Sequence, residues 1–74
     1  MSVQQFTSII QRDGDWYVSL CPELDIASQG KTVEEARLNL GEAIELFFEV
    51  ASPHEVQERM HPEVFITQIG VAVA

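Results

Sequence analysis

Over positions 3–11, Val3, Phe6, Ile9 and Ile10 stand among polar residues. Their β-branched and aromatic character, with no helix cap ahead of them, predicts a strand. Asp13-Gly14 then separates this run from Trp16-Tyr17-Val18-Ser19-Leu20, which is the signal of a hairpin leading into a second strand over 16–20. In that strand Trp16, Val18 and Leu20 share one face, and Tyr17 and Ser19 share the other. Pro22 lacks an N–H, so Cys21-Pro22-Glu23-Leu24 interrupts the ladder. Positions 25–30 predict a short third strand that ends at Gly30.

The spacing then changes. Thr32-Val33-Glu34-Glu35 has the form of a capping box, with Thr32 as N-cap and Glu35 reaching back to its amide. At about 100° per residue, Val33, Ala36, Leu40, Ala43, Ile44, Phe47 and Ala51 fall on one stripe. A helix to about residue 50 follows, lying on the sheet. Glu34, Glu35, Glu42, Glu45 and Glu49 fall outside the stripe. Leu38 and Leu46 break the pattern, because they project onto the acidic side. Ser52-Pro53-His54-Glu55 repeats the capping logic and predicts a short helix or turn over about 53–60, stopped before Pro62.

Positions 64–73 form the last apolar run. As a strand, they place Phe65, Thr67, Ile69, Val71 and Val73 on one face, and Val64, Ile66, Gln68, Gly70 and Ala72 on the other. Apolar residues on both faces imply cover on both sides. The predicted order is thus β-β-β-α-(short α)-β, an α+β two-layer sandwich. A right-handed crossover would return the last strand beside the first, in sheet order 3-2-1-4. One sheet face and the edge of the last strand then stay open, and a second copy is the simplest cover. Phe65, Thr67, Ile69, Val71 and Val73 are the expected interface of a homodimer or homotetramer.

Composition narrows the function classes. A chain of 74 residues holds one domain with one small core. It carries 12 Asp and Glu against 4 Lys and Arg, a net charge of −8. Such a chain repels a phosphate backbone, and Arg12, Lys31, Arg37 and Arg59 form no basic stripe, so no direct nucleic-acid binding is expected. No apolar run reaches membrane-spanning length and none has the form of a signal peptide, which points to a cytoplasmic chain. The lone Cys21 has no disulfide partner. Nothing in the spacing brings it to His54 or His61, so a thiol nucleophile with its base is not expected. Those histidines, with Glu55 and Glu58 nearby, lack the short ligand spacing of a zinc site. No phosphate cradle or serine elbow is present. No catalytic residue, metal or cofactor is therefore assigned.

The assembled motifs resemble a known family. Gly14-Asp15-Trp16-Tyr17-Val18 leads into Cys21-Pro22-Glu23-Leu24. Gly30-Lys31-Thr32-Val33-Glu34-Glu35-Ala36 follows, then Asn39 and Glu42-Ala43-Ile44. This set, within about residues 3–50, is similar to the HicB-like antitoxin domain of bacterial and archaeal toxin–antitoxin pairs. The resemblance implies a partial ribonuclease H-like β-β-β-α-β fold without catalysis. It also implies a partner: a small basic mRNA-cleaving HicA-like toxin with a double-stranded-RNA-binding-like fold, whose active site the antitoxin masks. A ribonuclease H site needs clustered carboxylates on the first and fourth strands plus the helix, and positions 3–11 and 64–73 contain none. Many members continue into a ribbon-helix-helix or helix-turn-helix segment. This chain stops at Ala74, so a minimal member that does not bind operator DNA is expected. Toxin contacts are expected on Leu38, Glu42, Glu45, Leu46 and Glu49, or on the Glu23-Leu24-Asp25 turn. The alternative is a stand-alone oligomeric module that binds another protein or a small ligand, with no toxin.

Overall fold

The computed structural model describes residues 2–74. It is an α+β fold in which a three-stranded antiparallel sheet is followed by two helices. Strand β1 is Ile9–Asp13, β2 is Trp16–Cys21 and β3 is Ile26–Gly30, in sheet order β1-β2-β3. Helix α1 is Val33–Val50 and α2 is Pro53–Arg59.

The hairpin register pairs Asp13 with Trp16 and Ile9 with Leu20, leaving Gly14-Asp15 as a two-residue turn. Gly14 has φ +63° and Asp15 does not share the sign, the pattern of a II′ turn that suits the twist of two paired strands. On the other side of β2, Tyr17 faces Gly30 and Cys21 faces Ile26.

Two caps set the helices. Thr32 Oγ1 accepts from the Glu35 amide at 3.0 Å, as the sequence predicts. The Glu35 carboxylate, however, accepts from the Lys31 amide at 3.1 Å, one residue earlier than the box requires. The full box forms instead at Ser52 and Glu55, with Pro53 at the start of α2.

Helix α1 lies mainly over β3, then over β2, and touches β1 least. It packs on the face that carries Tyr17, Ser19 and Cys21. Small residues permit the approach. A Cβ at Gly30 would stand 2.5 Å from the Ala36 amide nitrogen, so only glycine lets β3 pass beneath the first turn of the helix. Ser19 is fully buried, and its hydroxyl donates to the Ala36 carbonyl at 2.8 Å, which removes the cost of burying it. The opposite sheet face remains half-open, with Ile9, Trp16 and Leu20 each 37–42% exposed.

The core joins Cys21, Leu24 and Leu40, with Phe6, Ile26, Ile44, Phe47 and Met60 packed against it. On the predicted stripe of α1, Ala36 and Leu40 are buried, but Val33 is 51% exposed because it lies in the first turn, ahead of the core.

Two expectations are corrected. Residues 3–8 are not strand; β1 begins only at Ile9. Phe6 leaves the ladder to pack on the core and on the Phe48 ring, 5.7 Å between centroids. The last strand is not formed within the chain either. Positions 64–73 make no ladder, and Phe65, Ile69, Val71 and Val73 are 71–91% exposed. A strand apolar on both faces needs two covering layers, and the single helical layer is already centred on β3 and β2. The radius of gyration, 14.4 Å, records this projecting arm; a compact chain of this length has about 11 Å.

Candidate partner-binding surface

The expected contact residues separate into two groups. Glu23, Leu24 and Asp25 lie in the turn between β2 and β3, where Leu24 is buried, Glu23 is half-buried and Asp25 is exposed. Leu24 is fully buried in the core, which removes it from any partner surface. Its burial contributes on the order of 1.5–3 kcal/mol. The Glu23 carboxylate accepts from the Thr7 amide at 3.1 and 3.2 Å and from the Thr7 hydroxyl. It also accepts from the Cys21 thiol at 3.4 Å. Burial alone would raise the Glu23 pKa, but the bonds from Thr7 and the backbone outweigh it and hold the carboxyl below its ordinary range.

Further contacts close the turn from the far end of the chain. Asp25 adopts φ +54°, a left-handed conformation that aspartate tolerates better than most residues. The Arg59 guanidinium donates to the Leu24 carbonyl at 2.9 Å and to the Asp25 carbonyl at 3.2 Å, while resting 5.7 Å from the Phe47 ring centroid. The His61 amide donates to the Glu23 carbonyl at 2.6 Å. Thr7, Arg59 and His61 thus hold this turn. Sequence reasoning missed all three, because their partners lie 16 to 38 positions away.

Cys21 is fully buried, and burial followed by the neighbouring Glu23 pushes its thiol pKa up. That is opposite to what a nucleophile requires. His54 pairs with Glu58 at 3.0 Å on the open side of α2. Among the described residues no three His, Cys, Asp or Glu side chains are grouped to hold a metal. No helix among them is long and apolar enough to cross a membrane.

The second group forms a surface. Leu38 is 53% exposed and Leu46 is 57% exposed, and Glu42, Glu45 and Glu49 around them are exposed as well. The two leucines are eight residues apart, about 12 Å along the helix axis. The opposite side of α1 faces the core, with Ala36 and Leu40 buried and Ile44 and Phe47 packed against the core cluster. The outer face presents two apolar anchors in an acidic field.

The chain matches no protein-family model, no curated protein and no solved structure.

Proposed function

We propose that this chain is a non-catalytic, HicB-like antitoxin that binds and masks a small basic mRNA-cleaving toxin, and that it works as a homo-oligomer. The observation that carries the reading is the outer face of α1, where exposed Leu38 and Leu46 stand among Glu42, Glu45 and Glu49. A cationic RNA-binding surface complements such a face. The net charge of −8 steers the encounter, and the leucines supply the desolvated anchors. The partial ribonuclease H-like sandwich, with a fourth strand beside β1, belongs to the same proposal.

The test mixes the pure chain with the product of any small basic reading frame adjacent to its own. Light scattering on the eluate and an RNA-cleavage assay are the two readouts. The antitoxin reading expects a mixed complex at low micromolar concentration and silenced cleavage. A homo-oligomer indifferent to that protein overturns it and favours a stand-alone module.

A further inference from the structure

We propose that the arm formed by residues 64–74 is exchanged between two copies of this chain, each arm adding a strand to the β1 edge of the other protomer. The inference rests on the sheet and the arm alone and does not depend on the toxin reading.

The arm is built as a strand that lacks a sheet. Its eleven residues contain no charge and no proline, and its apolar side chains alternate onto both faces. In the single chain nearly all of that surface faces solvent, with Ile69 88% exposed and Val73 91% exposed.

The receiving site is equally unpartnered. The edge of β1 away from β2 pairs with no strand among the described residues. On the β3 side the Gln29 carbonyl accepts from the Asn39 side chain, and the Leu24 and Asp25 carbonyls, in the turn just before β3, accept from Arg59. Because α1 is centred on β3 and β2, a groove of about 830 Å³ stays open between the segment preceding β1 and the flank of the helix. Phe6, Leu40, Ile44 and Phe48 line it. One face of an arm laid along β1 meets this groove, and the other face extends the half-open surface of Ile9 and Leu20. The two-sided apolar pattern is thereby satisfied.

The dimensions agree. Each protomer would commit the eleven residues of its arm and the thirteen that line the groove. A standard stable interface uses about 20–30 residues a side. Exchange of identical elements about a two-fold axis closes on itself, leaving neither arm nor groove unpaired. The groove and the acidic face of α1 share only Glu45 and Glu49 among the expected contacts, so Leu38, Glu42 and Leu46 remain uncovered in the dimer.

Size-exclusion chromatography with light scattering on the full chain is expected to give twice the 8.3 kDa protomer mass. Ile69→Lys changes a side chain that the isolated protomer leaves in water. Helical circular dichroism should therefore persist, while dimer dissociation rises at least about tenfold. A second arm of the experiment refolds Gly41→Cys chains together with Ile69→Cys chains and oxidises them; Gly41 lines the groove with open space around it. A disulfide between the two different chains is expected. A monomeric full chain, an Ile69→Lys chain that dimerises unchanged, or the absence of that mixed disulfide overturns the proposal. So does a chain carrying both cysteines that closes the bond within itself at monomer mass.

Discussion

The turn at 21–25 and the arm at 64–73 invert what their compositions suggest. The turn contains a proline, a glutamate and an aspartate, yet Cys21 and Leu24 are fully buried there. The arm is almost wholly apolar, yet its large side chains are exposed. The difference lies in what stands over each segment. The turn is enclosed by Phe6, Phe47 and Met60 and tied by Thr7, Arg59 and His61. Among the described residues, no layer of its own chain stands above or below the arm. Hydrophobic stabilisation follows the area removed from water, so an apolar segment without cover contributes little to its own protomer and is available to another.

The sharpest way to break this comparison is to truncate one residue in each region. Leu24→Ala should cost about 2–5 kcal/mol in urea unfolding, because it empties a fully enclosed site. Val71→Ala, measured at concentrations too low for association, should leave unfolding unchanged. Equal effects would erase the distinction.

A smaller loss is expected where the helix meets the sheet beside the turn. Gly30→Ala places a methyl group against the Ala36 backbone, which cannot move aside, and should cost about 1–3 kcal/mol. Thermal unfolding would read it.

The polar half of the turn can be sharpened by pH. Glu23 titrates lower in the folded chain than in the unfolded one, where glutamate lies near about 4.3. Its contribution is fully present above that value and is lost as pH falls through the folded pKa. The full chain should therefore lose stability on acidification in that range. Glu23→Gln should cost about 0.5–1.5 kcal/mol at neutral pH and remove that part of the acid dependence. Urea midpoints between neutral pH and acid would show a difference that narrows as pH falls.

The smallest effect on stability is expected on the outer face of α1. Replacing both Leu38 and Leu46 by alanine should shift unfolding by no more than about 0.5 kcal/mol, because both side chains are already half in water. Affinity for a basic partner should nevertheless fall in a titration of the complex. Loss of stability without loss of binding would place the anchors elsewhere.

What the sequence reveals and what it hides divide along the same line. Strands β2 and β3 and helix α1 are legible because turn residues, a cap and a periodic stripe are local signals, and they fall within a residue or two of the observed bounds. The exposed leucines are legible from the same helical projection. The start of β1 is not, because Phe6 is drawn to the core by Phe48 and the Thr7 amide by Glu23, contacts with no local signature. The burial of Leu24 is hidden for the same reason, as its enclosure comes from Phe47, Arg59 and Met60. The arm has a clear strand pattern, but a pattern specifies which surface needs cover and not which chain supplies it.

Amide hydrogen exchange of residues 64–73, followed across a dilution series, tests the central claim most directly. Protection approaching that of β2 at high concentration, lost together with the dimer on dilution, is the predicted result. Rapid exchange at every concentration, or protection that dilution leaves untouched, would contradict it.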